Sequence, residues 1–173
     1  MGISSSAEAL SLRWAEVCND PALRDLPYKI ELNAWGKIEM SPASNRHSRL
    51  QGLVALALGM QRPDGTILPE CSILTDIGVR VPDVCWASAD FWARHGESTP
   101  YPRAPEICVE VMSPSNDADE IREKTRAYLA AGAVEVWIVL EDGSAHFFDA
   151  SGERQASRFG VTLDLPKPAA PAA

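Results

Sequence analysis

Histidine is scarce in this chain, three in 173 residues, and the four cysteines (Cys18, Cys71, Cys85 and Cys108) form no C-x-x-C pair. Without paired cysteines, or histidines at ligand spacing, a zinc finger or ribbon is excluded. Three of the thiols fall in strand-like apolar segments, where each is expected to pack as a small buried hydrophobe. No apolar run approaches the roughly 18 residues of a membrane helix, and MGISSSAEALSLRW lacks the basic-then-apolar order of a secretory signal. The expectation is a cytoplasmic protein with no membrane contact. There is no G-x-S-x-G, which argues against a serine hydrolase, and no internal repeat. Positive charge is also short: 16 Lys and Arg stand against 24 Asp and Glu, for a net charge of -8 and a pI near 4.9. Such a surface repels polyanions on average. A nucleic acid would have to be met by a local basic patch or by bound metal.

Apolar residues make up 46% of the chain and charged ones 23%, enough for one domain with a real core. Ser4 to Val17 reads as a helix, with Leu10, Trp14 and Val17 at helical spacing. KIELNAWGKIEMSP predicts a hairpin turning at Ala34-Trp35-Gly36, and a second helix starts at Ser44 or Asn45 with Leu50, Leu53, Val54, Ala57 and Leu58 inward. After the RPDG turn, TILPECSIL and GVRVPDVCWAS each read as one strand, and ADFWARHGESTPYPRAP as a loop with at most one helical turn. The strand EICVEVMS leads into a helix from Asn116 or Asp117 to Ala131, stopped by Gly132. VEVWIVLED and SAHFFDA are strands turning at Asp142-Gly143, and PKPAAPAA is expected to be disordered. Strand, helix, strand over 106–140 implies a parallel pair with a right-handed crossover in a mixed sheet.

Two acids interrupt apolar strands. Asp83 stands among Val79, Val81, Val84 and Trp86, and Glu110 among Ile107, Val109 and Val111. A carboxylate so placed costs several kcal/mol unless it is paired, hydrogen-bonded or on a metal. Pro82 before one and Ser-Pro-Ser after the other suggest that each acid opens onto a cleft at a strand end or bend. Two converging carboxylates suit Mg²⁺. The bland alternative puts each on the solvent face of its strand. Lys124 lies at the edge of its helix's apolar stripe and could reach Glu110, or could merely pair with Glu120 one turn away.

RVPDVCWAS, PEICVEVMSPSND and EIREKTRAYLAAGAVEVWIV together resemble the Uma family of predicted restriction endonucleases, in the PD-(D/E)XK nuclease superfamily. IEMSPASNRHSRLQGLVALAL resembles that family's helix-opening histidine segment, and the likeness spans roughly residues 28 to 150. It implies an α/β (α+β) restriction-endonuclease-like fold, a central mixed sheet flanked by helices, over residues 28–165, with 1–27 a helical extension and 166–173 a disordered tail. It implies Asp83 and Glu110 as acids holding Mg²⁺ (or Mn²⁺) with the Val111 carbonyl. Met112 stands where the superfamily's plain form has lysine, so Lys124 on the following helix takes that part. His47 and Glu70 are accessory candidates, with helix capping and simple exposure as their respective alternatives. The implied reaction is phosphodiester hydrolysis of nucleic acid, DNA first, by a homodimer. Two other readings stand beside it: a nuclease fold that binds without cutting, and an anion site at Ser113, Ser115 and the next helix N-terminus.

Overall fold

The structure, a computed structural model, describes residues 5–112 and 118–168. Helix α1 (Ala7–Asn19) is capped by Ser6, whose side chain accepts from the Ala9 amide, and buries Leu10, Trp14 and Val17 as the spacing predicts. Strands β1 (Lys29–Asn33) and β2 (Ile38–Ser41) form the expected hairpin, and Gly36 supplies its positive φ of 72°. Helix α2 (Asn45–Gln61) is capped by Ser44 and buries Leu50, Val54 and Leu58. Leu53 and Ala57 are only partly covered.

The two long strands expected between 66 and 88 are each broken. TILPECSIL divides into β3 (Gly65–Pro69) and β4 (Ile73–Thr75), with Glu70 between them at a φ of 51°. GVRVPDVCWAS divides into β5 (Gly78–Arg80) and β6 (Val84–Ser88), with Pro82 and Asp83 at the break. Proline has no amide for a ladder, and the chain uses the interruption to change sheets. Asp83 is therefore in a bend, not inside a strand.

The segment expected as loop holds the short helix α3 (Ala89–His95), capped by Ser88. Then come β7 (Ile107–Met112), α4 (Ala118–Ala131), β8 (Glu135–Leu140), β9 (Ala145–Asp149) and a short β10 (Gly152–Arg154) that the pattern did not suggest. The predicted start of α4 and the Ser113/Ser115 anion site lie outside the described residues. So does most of the tail expected to be disordered, although the carbonyl of Pro166 accepts from Arg46.

There are two sheets. The mixed one has six strands in the order β10-β9-β8-β7-β6-β3, with β7 and β8 parallel across α4 as anticipated. The other is antiparallel, in the order β2-β1-β5-β4. Strand alternation sorts the residues of the mixed sheet. Val109, Val111 and Trp86 face α2 with Leu50, Val54 and Leu58, while Cys108, Met112, Val136 and Ile138 face Tyr128 of α4. Helix α1 covers the outer face of the smaller sheet through Leu32, Val79 and Val81. Its inner face, with Lys29, Glu31 and Arg80, is left to meet α4 and the end of β7. The site forms there.

Candidate active site

Glu110 takes the α4 side of β7 because Cys108 and Met112, two residues either way, do. Asp83 reaches the same place from the break between the sheets. Both are almost fully buried, at 1% and 0% exposure. They line a cavity of about 770 Å³ together with Lys29, Glu31, Arg80 and Lys124.

The buried charges alternate in sign. The Lys29 ammonium lies 2.8 Å from Asp83 Oδ1 and 3.3 Å from Glu110 Oε2. Lys124 Nζ lies 3.3 Å from Glu110 Oε1 and 3.3 Å from Glu31 Oε2. Arg80 continues the line, 3.4 Å from Glu31 and 2.5 Å from Glu39. Neutral donors fix the carboxylates further: the Tyr128 hydroxyl donates to Glu110 Oε1 at 2.6 Å, the Val111 amide to Asp83 Oδ2 at 2.7 Å, and the Val81 amide to Glu31 Oε1 at 2.7 Å.

Burial and partners set the protonation states. For Asp83 burial favours the neutral acid, but the His47 hydrogen bond and the Lys29 charge outweigh it and hold the carboxyl at about 2. Glu110 goes the other way, raised by complete burial and by Asp83 and Glu31, against the pull of Lys124 and Lys29. Burial also raises Glu31, yet Lys124 and Lys29 bring it below its ordinary value. Burial disfavours both ammonium charges, but Glu110 with Asp83 at Lys29, and Glu110 with Glu31 at Lys124, raise the two lysines and keep them protonated. Accepting His47, Asp83 raises the imidazole.

Asp83, Glu110 and Lys124 thus come together as the sequence suggested. Lys124 is 8% exposed and its ammonium lies within the cavity, so it does not sit on a solvated face. Val111 lines the cavity beside them. His47 puts Nε2 3.3 Å from Asp83 Oδ1, and the helix cap is Ser44, whose hydroxyl accepts from the His47 amide. Glu70 is exposed at the cavity wall, accepting from Gln51 at 3.3 Å. Gln51 also holds the Asp83 carbonyl at 2.9 Å.

The sequence reading missed Lys29, Glu31, Arg80 and Tyr128. Ammonium groups already stand beside both acids, Lys29 between Asp83 and Glu110 and Lys124 against Glu110. Lys29 and Glu31 alternate with apolar Ile30 and Leu32, a pattern that reads as a solvated strand face. Only the packing of one sheet's face against α4 turns that face inward.

Among the described residues no group of three or more His, Cys, Asp or Glu is arranged to cage a metal. A shared pair of hard oxygens is what these residues offer. Asp83 Oδ1 and Glu110 Oε2 converge on one cation position, with the Lys29 ammonium as its stand-in, and that donor set fits Mg²⁺ or Mn²⁺ completed by water and substrate.

The mixed sheet, with its one parallel pair β7–β8, thus brings Glu110 into a charged cavity. The crystal structure of "a putative nuclease belonging to DUF820" from Anabaena variabilis matches this fold with a TM-score of 0.57 at 17% identity, over 69% of this chain and 71% of that one. No curated protein matches. The chain belongs to the Uma2 family, described as "Putative restriction endonuclease", whose model matches residues 20–169. Among the described residues no helix is long and apolar enough to cross a membrane.

Proposed function

We propose that this protein is a divalent-metal-dependent endonuclease hydrolysing phosphodiester bonds of nucleic acid, DNA first. The observation that carries the reading is the convergence of Asp83 and Glu110 on one cation position with Lys124 at the edge of the same cavity. Asp83 and Glu110, with the Val111 carbonyl, would hold Mg²⁺ or Mn²⁺. The metal would polarise a phosphoryl oxygen and lower the pKa of a bound water. The protein's own groups do the rest. The Val111 amide and the Tyr128 hydroxyl keep the two carboxylates from turning away. Lys124, charged and aimed into the cavity, orients the attacking water or offsets charge developing on the phosphate. His47, reaching Asp83 from α2, positions that acid. A second copy of the chain would be needed to cut both strands of a duplex at one place.

A non-catalytic binding or regulatory role has one observation in its favour. The cavity wall carries Glu39, Glu70, Glu120 and Glu123, which add to the net charge of -8 and oppose a polyanion. A cleavage assay on single- and double-stranded DNA and RNA with Mg²⁺ or Mn²⁺ decides between the two. Metal-dependent cutting that Asp83→Ala abolishes is the expected result. Binding without cutting under every metal would assign the chain to the second role.

A further inference from the structure

The geometry points to Lys29 as the residue that sets how tightly this site takes a divalent cation: its ammonium holds the place between Asp83 and Glu110 that the metal needs, and it must withdraw before a metal enters. This rests on the metal-dependent reading above.

Asp83 Oδ2 is taken by the Val111 amide, and Glu110 Oε1 by the Tyr128 hydroxyl and Lys124. The oxygens that remain to face a metal are Asp83 Oδ1, which also meets His47, and Glu110 Oε2. Lys29 bridges those two, at 2.8 and 3.3 Å. Lys124 touches the other oxygen of Glu110 and Glu31, so it can stay where it is when metal binds. The two lysines therefore do different things: Lys124 is a fixture of the site and Lys29 a removable occupant. An ammonium and a dication cannot share one pair of oxygens, because their repulsion at this range is severe even with strong screening. Lys29 has a way out. It is the first residue of β1, its side chain is 14% exposed, and it already lines the cavity, so the ammonium can withdraw with the strand in place. Metal uptake is then an exchange of one cation for another. The exchange keeps the two carboxylates from repelling each other before metal arrives, and it weakens the affinity for metal.

Calorimetric titration of the full chain with Mn²⁺ tests this, comparing wild type, Lys29→Met and Lys29→Gln, with melting curves taken with and without the ion. Both variants should bind Mn²⁺ at least about tenfold more tightly than wild type. They should also melt lower without metal, and rise further than wild type when Mn²⁺ is added. Lys29→Gln keeps a hydrogen-bond donor should the methionine variant fold poorly. A variant that folds only with Mn²⁺ supports the exchange as well. Unchanged or weaker Mn²⁺ affinity in both variants would overturn the role of Lys29 and leave the metal reading standing. Variants that stay unfolded even with Mn²⁺ would overturn it too, since a dication could not then replace the ammonium. Silence towards Mn²⁺ in all three proteins would remove the metal site and this inference together.

Discussion

Glu110 and Glu135 look alike in the sequence, each a carboxylate inside an apolar strand, yet their surroundings differ entirely. Glu135 is fully buried and meets neutral donors, the Trp137 indole, the Ser157 hydroxyl and the Arg158 amide, away from the cavity. It is a structural acid, and an acid in a strand is by itself an ambiguous sign. What separates Glu110 is its charged company, above all Lys124. Breaking a buried ion pair by removing one partner typically costs about 3–5 kcal/mol, so Lys124→Met should lose stability on that scale in urea melts without metal. Its cleavage rate should also fall by roughly 10²–10³. A loss below about 1 kcal/mol with full activity would return Lys124 to the class of surface pairs. The Asp83 carboxyl gives a second handle. Its folded value of about 2 lies below the ordinary 3.8, so it adds stability above pH 4 that is lost as pH falls from about 4 to 2. In metal-free protein that contribution is roughly 2 kcal/mol. Urea melts over this range should therefore slope more steeply for wild type than for Asp83→Asn.

At the scale of elements, the join between β1 and β5 governs the site, since these strands carry Lys29, Glu31 and Arg80. Gly78 makes the join possible. At a φ of 123°, a Cβ there would stand 2.0 Å from the Leu32 carbonyl oxygen. Gly78→Ala should cost at least about 3 kcal/mol and disorder the cavity. Gly52, on α2 with nothing within 4 Å, is the opposite case: Gly52→Ala should add about 0.8–1.0 kcal/mol. Chemical denaturation of the two variants measures both effects. The hairpin, α1, α2, α4 and the parallel pair β7–β8 follow from period and punctuation, since each buries a face that its own residues define. The breaks at Glu70 and at Pro82-Asp83 do not, because two short strands with an intervening turn carry the same apolar pattern as one long strand. Asp83 and Glu110 were visible as misplaced charges, and Lys124 through the family likeness. Lys29, Glu31 and Arg80 were not, because an alternating charged face turns inward only once a second layer covers it. Tyr128 read as one more apolar stripe residue, since spacing does not show that a hydroxyl meets a carboxylate.

For the whole molecule, the net charge of -8 gives phosphates no general attraction, so the cations of the cavity matter most to the proposed site. Its cations are Lys29, Arg80 and Lys124, with His47 when protonated, and all are already engaged with acids. Few counterions should then be released on binding. In the presence of Mn²⁺, the log–log dependence of nucleic-acid affinity on monovalent salt should have a slope of only about -1 to -3, against the steep slopes of proteins making 6–10 phosphate contacts. Fluorescence anisotropy across a salt series reads this directly. A steep slope would point instead to phosphate contacts beyond the cavity.

The amides of Val81 and Val111 are held by carboxylates of the site, Glu31 and Asp83, through bonds from side chain to main chain. These two N–H groups exchange with solvent deuterium only when those acids let go. Their exchange rates are therefore a clock on the resting site, one that runs with no substrate present and no bond being cut. A dication that draws Asp83 into a tighter hold should slow Val111, while loss of the Lys124 charge should quicken Val81 by freeing Glu31 to turn. The same two signals would show how often the cavity loosens by itself, and so how long an incoming ion waits for its opening.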